Sequence, residues 1–176
     1  LENANLDFNY LNKSLEINNI NINYKNTKFI SKKITAKISN NLISVKGDFS
    51  NEINQNLISN FINFNLKDYV KEKVTLSSKS NFEIVLSKKF KLKDYKLDSE
   101  INFENINLIL KDIEVHDFIK NFDNKIILKN GKLNIQINNS NSTNIKFKSK
   151  FNLNKDTEIR DVSLNYSNIK SSENYE

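Results

Sequence analysis

Cysteine, proline, methionine and tryptophan are all absent from this 176-residue sequence, which also has a single histidine, His116. Without cysteine the chain forms no disulfide, thiolate zinc site, iron–sulfur cluster or cysteine nucleophile. One histidine excludes a polyhistidine metal site and argues against a Ser-His-Asp triad. The two glycines, Gly47 and Gly131, are too isolated to form a phosphate-binding loop of the GxGxxG or Walker type. We therefore expect a non-enzymatic protein with no cofactor and no metal.

Long apolar runs are also absent. No stretch approaches the roughly 18 apolar residues that a membrane-spanning helix needs. The chain begins with Leu1, and no charged-then-apolar leader follows it. We interpret the sequence as a segment of a longer protein whose targeting information lies outside it.

The residues present in excess are asparagine (34), lysine (26) and isoleucine (23), with Arg160 the single arginine. All three abundant residues have AT-rich codons, so a low-GC genome explains much of this bias. The 27 Lys and Arg residues and 21 Asp and Glu residues give a net charge of +6. Genome composition is the favoured source of that charge, and a surface for phosphates or anionic lipid is the alternative.

Apolar residues alternate with polar ones along most of the chain. The clearest example runs through Val74, Leu76, Phe82, Ile84 and Leu86. Successive side chains of a β-strand point to opposite faces, so each such strand has one apolar and one polar face. Antiparallel sheets tolerate one solvated face, whereas parallel strands usually read as continuous apolar runs. The pattern predicts a mainly β protein of ten or more strands in antiparallel meander order.

Asparagine-rich positions predict the turns. Asn130-Gly131 is the preferred pair for a two-residue type I′ hairpin. Residues 139–142 predict a longer polar loop, and Asn18-Asn19 and Asn40-Asn41 predict turns or phase breaks. The apolar phase also shifts within residues 103–106, which indicates a bulge or a short turn.

Two segments break the alternation. Apolar residues between Ile53 and Ile62 recur at helical spacing and predict a helix over about residues 52–63. Residues 111–121 are a weaker candidate, either a short helix or an irregular connection. Strand blocks separated by these segments suggest a loose repeat. We expect a single fragment, residues 1–176, of a longer β-repeat protein.

The repeat units of this fragment are expected at about residues 1–66, 67–122 and 123–170. The repeat is not visible at the level of identical residues. Such an array predicts an elongated molecule rather than a globular one.

A lysine cluster follows the clearest alternating stretch. Its members are Lys88, Lys89, Lys91, Lys93 and Lys96. Phe90 and Tyr95 interleave with it, as a base-stacking surface requires, and anionic lipid headgroups are a second possible ligand. Nucleic-acid sites favour arginine, however, and the single arginine lies elsewhere. A solvated strand edge is the favoured interpretation, and no nucleic-acid partner is expected.

Three long segments carry a resemblance to a known family in their strand length, turn spacing and helix placement. The first is NEINQNLISNFINFNLKDYV (residues 51–70), which leads into SNFEIVLSKKFKLKDYKLDSEINFENINLIL (residues 80–110). KIILKNGKLNIQINNSNSTNIKFKSKFNLN (residues 125–154) follows in the same style. Together they resemble the AsmA-like family, the group of the large YhdP and TamB proteins of Gram-negative envelopes.

The resemblance implies a sheet curled into an elongated, open groove, with one or two short helices. In that family the apolar inner face is thought to hold phospholipid acyl chains during transport between the inner and outer membranes. The resemblance implies a periplasmic location, with the full-length protein anchored in the inner membrane through a segment outside this fragment. It brings no catalytic residues.

A sheet with one apolar face must cover that face with a second sheet, a helix or a ligand. Each covered Leu, Ile or Phe contributes about 1.5–3 kcal/mol. The alternation alone favours a self-filled core, as in a structural or adhesive β-repeat module of a cell-surface protein. The family resemblance favours a lipid groove. Its expected acyl-chain-binding residues are Val74, Leu76, Phe82, Ile84, Leu86, Ile101, Phe103, Leu133, Ile135, Ile137, Phe147, Phe151 and Leu153.

Overall fold

The computed structural model describes residues 3–24, 27–54, 70, 74–110, 124–139, 142–153 and 158–169. Within them, the alternating segments form nine strands. The strands are β1 (Asn3–Leu11), β2 (Ser14–Tyr24), β3 (Thr27–Ser39), β4 (Leu42–Asn54), β5 (Thr75–Ser87), β6 (Leu92–Ile109), β7 (Lys125–Asn138), β8 (Ser142–Leu153) and β9 (Arg160–Ile169). They form one sheet in sequence order, and every neighbouring pair is antiparallel. The predicted mainly β class and the meander order are confirmed.

Asparagine makes several of the tight turns. Asn40 and Asn41 have φ angles of 46° and 65°, and Asn12 and Lys13 have angles of 51° and 60°. Two consecutive residues with positive φ define the type I′ hairpin, whose twist matches that of the flanking strands. The turn predicted at Asn40-Asn41 is confirmed. Of the loop predicted at residues 139–142, Ser142 is already part of β8, and residues 140–141 lie outside the described residues.

The hairpin predicted at Asn130-Gly131 is wrong, because both residues lie inside β7. Asn130 has a φ of 49°, and the register between β7 and β8 shifts between Lys129 and Lys132. A left-handed residue that adds one position to a strand is a β-bulge. Asparagine adopts this conformation readily in turns and in bulges alike. The dipeptide therefore signals a backbone conformation and does not by itself distinguish the two structures.

Two further places where the apolar–polar alternation shifts by one residue also lie inside strands. Asn19, with a φ of 53°, interrupts β2 at the predicted Asn18-Asn19 break. β6 runs without a turn through residues 103–106, and both Glu104 and Asn105 are exposed. β7 changes the side to which its apolar residues point at the same place. The pairing of the two strands therefore stays in one register, in which Phe103 pairs with Gly131 and Asn105 pairs with Lys129.

Polar side chains of the neighbouring strands hold the bulges. Asn19 Nδ2 donates a hydrogen bond to Asp7 Oδ2 at 3.0 Å. The backbone N–H of Lys32, at the register shift of β3, donates to Asp48 Oδ2 at 3.3 Å. Ser149 Oγ on β8 donates to the carbonyl oxygen of Lys129 at 3.0 Å. Each of these hydrogen bonds gives a group at or beside a bulge a partner outside the regular backbone ladder.

Replacing Ser149 with alanine is expected to destabilise the sheet by about 1–2 kcal/mol, because the part-buried carbonyl of Lys129 loses its hydrogen-bond partner. Ser149 is buried, so water does not readily replace the lost hydroxyl. Urea unfolding of Ser149→Ala measures the loss. Ser163→Ala, at an exposed position of β9, is the matched control and should leave the unfolding midpoint unchanged. Equal effects of the two substitutions would show that the bulge bond contributes nothing specific.

The lysine cluster lies differently from expectation. Lys88 and Lys89 occupy the hairpin between β5 and β6, which Ser87 closes by accepting a backbone hydrogen bond from Phe90 at 2.8 Å. Both flanking strands are interior to the sheet. The strand-edge interpretation is therefore wrong for these residues, which lie at the end of a central hairpin.

The predicted helices are not confirmed. β4 extends to Asn54, so residues 52–54 of the first candidate are strand. Residues 55–63 and 111–121 lie outside the described residues. The residues that the structure does describe contain no helix, and none of them forms an apolar helical segment of membrane-spanning length.

The described sheet is a single layer, uncurled to weakly curved. The substantial contacts between its elements all join neighbouring strands. Among the described apolar residues, Ile20, Val70 and Val74 are the buried ones. This part of the molecule therefore presents broad apolar surface on a sheet rather than an enclosed core.

Candidate functional site

Cross-strand register aligns the apolar residues of successive strands. Ile84 of β5 lies opposite Val45 on one side and Tyr95 on the other. Leu133 of β7 lies between Ile101 and Phe147 in the same way. Directly opposite residues of an antiparallel pair project from the same side of the sheet. We call the side that carries Ile84 and its register partners the apolar face, and the opposite side the polar face.

All the expected acyl-chain-binding residues that belong to strands lie on the apolar face. They are Leu76, Phe82, Ile84, Leu86, Ile101, Phe103, Leu133, Ile135, Ile137, Phe147, Phe151 and Leu153. Each of them is half-buried. Val74 directly precedes β5 and is buried. The structure thus brings this predicted set together on one continuous surface.

The apolar face is larger than the predicted set. Ile17 pairs with Ile34, and Ile22 pairs with Phe29, which extends the surface into β2 and β3. The further members with the same alternation are Phe8, Leu15, Ile20, Ala36, Ile43, Val45, Phe49, Leu97, Ile106, Leu108, Ile126, Leu128, Ile145 and Leu164. In the sequence, the alternation of apolar and polar residues was the signal that could have identified these residues. Only the pairing of successive strands across the sheet shows that they share the apolar side of β5.

Aromatic rings and small residues interlock on this face. The rings of Phe49 and Phe82 have their centroids 6.1 Å apart. Those of Phe103 and Phe147 are stacked at 6.3 Å. The Phe103 ring also lies directly over Gly131, where a methyl group would overlap it. The absence of a side chain at Gly131 is therefore what lets Phe103 lie flat against the sheet.

Three serine hydroxyls on the apolar face, those of Ser78, Ser80 and Ser99, find partners within the sheet. Ser80 Oγ and Ser99 Oγ are 2.8 Å apart, and Ser78 Oγ donates to Asn51 Oδ1. Ser78 and Ser80 are buried beneath their larger neighbours. Because these hydroxyls are satisfied, they do not interrupt the apolar character of the surface above them.

The outer strands leave their apolar side chains in solvent. On β1, Phe8 is 74% exposed and Tyr10 is 61% exposed, and on β9 Leu164 is 56% exposed. In the part of the chain that the structure describes, no second layer packs against the sheet. Exposed apolar patches of this breadth mark binding surfaces for lipid, ligand or protein.

Ion pairs bridge the strands on the polar face. Lys33 Nζ lies 2.8 Å from Glu16 Oε1, and Lys46 Nζ lies 2.7 Å from Glu83 Oε1. Exposed pairs of this kind contribute between 0 and about 1 kcal/mol each. They keep this face solvated and leave hydrophobic association to the opposite side.

Among the described residues, the carboxyl with a clear electrostatic perturbation is that of Glu100, which also lies on the polar face. A hydrogen bond from Lys132, whose Nζ lies 2.6 Å from Glu100 Oε2, lowers the pKa of Glu100 below its ordinary value of 4.5. A further hydrogen bond, from Asn102 Nδ2 at 3.1 Å, acts in the same direction. Both favour the ionised form.

This perturbation predicts a pH dependence of stability. A carboxyl whose pKa is lower in the folded state stabilises the fold above its ordinary pKa, and that contribution is lost as the pH falls through the folded pKa. We expect Glu100→Gln to be less stable than the wild type at pH 7 and to converge with it below pH 4.5. Urea midpoints across this range test the prediction, which a constant difference between the two proteins would contradict.

The apolar face is the feature of the described residues that suits ligand binding. No group of three or more His, Asp or Glu side chains among them is placed to hold a metal ion. His116, the single histidine of the chain, lies outside the described residues. The apolar face offers dispersion and hydrophobic contacts, which stabilise an apolar ligand in proportion to the area removed from water.

Comparisons with known proteins do not assign this sheet to a family. No protein-family model, curated protein or solved structure matches the chain. The functional argument therefore depends on the geometry of the two faces.

Proposed function

We propose that this chain is a non-enzymatic segment of an AsmA-like envelope protein that shields phospholipid acyl chains along its apolar face. The observation that carries the proposal is the extent of that face. Apolar residues from all nine strands share it, and the described residues place no second layer over it. An acyl chain needs contact area rather than specific polar groups, so the absence of a catalytic or ligand-binding motif agrees with this function.

The proposed working state is an elongated groove. Antiparallel strands twist relative to their neighbours, and the twist accumulates across a wide sheet. Continued over a longer protein, this curvature wraps the apolar face around a lipid chain and leaves the polar face in solvent. In the full-length protein, which is anchored in the inner membrane, the groove carries phospholipid across the periplasm between the inner and outer membranes.

The test is to purify the chain gently and to examine it by native mass spectrometry. We expect complexes whose added mass corresponds to phospholipid, and a lipophilic dye bound to the protein that added phospholipid displaces. A monodisperse, compact, ligand-free particle that binds no dye would contradict the proposal. That result would favour an adhesive or structural module with a self-filled core.

A further inference from the structure

A second surface lies on the polar face of β7 and β8. These two strands contain six lysines and no acidic residue. The lysines are Lys125, Lys129, Lys132, Lys146, Lys148 and Lys150. The residues next to these lysines in sequence belong to the apolar face, where Leu128 pairs with Phe151 and Leu133 pairs with Phe147. All six lysines therefore project from the opposite side, and we call them the lysine array.

The bulge at Asn130 is what keeps the array on one side. Lys129 and Lys132 are three positions apart, so in a regular strand they would point to opposite faces. The bulge places one extra residue between them, so both side chains point to the same face. Lys129 pairs with Lys150, and Lys132 pairs with Lys148. The feature that was predicted to be a turn instead assembles a continuous basic surface.

Acidic residues neutralise only part of this surface. Glu100 binds Lys132, and Asp161 lies opposite Lys150. The remaining register partners are uncharged or basic. Lys146 pairs with Asn134 and Asn165, and Lys148 pairs with Lys132 and Ser163. Like charges directly opposite each other destabilise a sheet, and an anionic surface placed over them relieves that repulsion.

We propose that the lysine array docks the polar face of the sheet onto an anionic lipid surface. The sheet is uncurled to weakly curved, so its lysines lie on a broad, gently shaped surface that complements a bilayer of negative headgroups. Lysine is a compact point charge that suits such diffuse attraction. Nucleic-acid sites instead rely on arginine forks and aromatic stacking. Arg160 pairs with Glu158, and β7 has no aromatic residue while those of β8 lie on the apolar face.

The experiment measures co-sedimentation of the chain with phosphatidylcholine vesicles, with and without phosphatidylglycerol. We expect strong binding only to the anionic vesicles. This binding should be lost as the ionic strength rises from about 0.01 M to about 1 M, which shortens the Debye length from about 30 Å to about 3 Å. The salt titration uses the wild-type chain and needs no variant.

A charge-matched pair of variants locates the surface. The triple variant Lys146→Gln, Lys148→Gln and Lys150→Gln should bind anionic vesicles about 100-fold more weakly, at about fivefold per lysine. The control carries Lys28→Gln, Lys32→Gln and Lys37→Gln on β3, where Glu16 and Asp48 of the flanking strands interleave with the basic residues. It loses the same charge and should retain wild-type binding.

Three results would overturn the proposal. Equal losses in the two triple variants would assign binding to net charge alone. Binding to neutral vesicles that persists at high salt would assign it to the apolar face. Binding to duplex DNA without binding to anionic vesicles would assign the array to nucleic acid.

Discussion

Ile135→Asp is expected to weaken phospholipid binding by about 10- to 100-fold, because the loss of one covered isoleucine removes about 1.5–3 kcal/mol of apolar contact. Ile135 lies on the apolar face, opposite Ser99 of β6 and Ile145 of β8. A carboxylate at this position must either remain in water or be buried unpaired, and both exclude an acyl chain from the site. Dye displacement by phospholipid measures the change.

Ile127→Asp is the control for this experiment. Ile127 is the same residue type on the same strand, but it pairs with Asn107 and Asn152 on the polar face. Its variant should bind phospholipid like the wild type. Far-UV circular dichroism establishes that both variants fold, and the neutral Ile135→Ser substitutes for the carboxylate variant if that one does not. Equal losses at Ile135 and Ile127 would show that lipid does not discriminate between the faces.

The second large effect is expected at Gly131. Its φ is not positive, so backbone freedom does not explain the glycine. The Phe103 ring covers the position, and a Cβ atom there would overlap it. Gly131→Ala must displace the ring from its stack with Phe147. Overpacking of this kind costs about 1–3 kcal/mol, and urea unfolding measures it.

Two comparisons separate this effect from a general cost of removing glycine. A Cβ atom at Gly47 would lie 2.9 Å from Ile34 Cγ1 and 3.1 Å from Phe82 Cε1, so Gly47→Ala should cost less than Gly131→Ala. In a Phe103→Leu background, Gly131→Ala should cost less than in the wild type, and a double-mutant cycle gives this coupling. Additive effects of the two substitutions would contradict the proposed contact.

Local side-chain direction was the part of the fold that could be predicted. The alternation through Phe82, Ile84 and Leu86 identified β5 and its two faces, because a strand turns each successive side chain to the other side whatever it pairs with. The same reasoning predicted the antiparallel meander. Consecutive alternating segments joined by short asparagine turns, such as Asn40-Asn41, have few other ways to pair.

The Asn130-Gly131 pair marks the limit of that reasoning. The sequence indicated a left-handed backbone conformation at this point, and Asn130 does have a positive φ. Whether the chain then reverses or continues depends on the strands on either side. Here β6 and β8 continue past the bulge and pair with β7 along its length, so the chain continues.

The sequence by itself determined which residues alternate, and therefore that each strand has one apolar and one polar side. Only the tertiary structure decided that the apolar sides of all nine strands coincide and that the lysines of β7 and β8 gather opposite them. The physical reason is that side-chain direction along a strand follows from local backbone geometry, whereas register and bulges depend on hydrogen bonds between residues far apart in the chain.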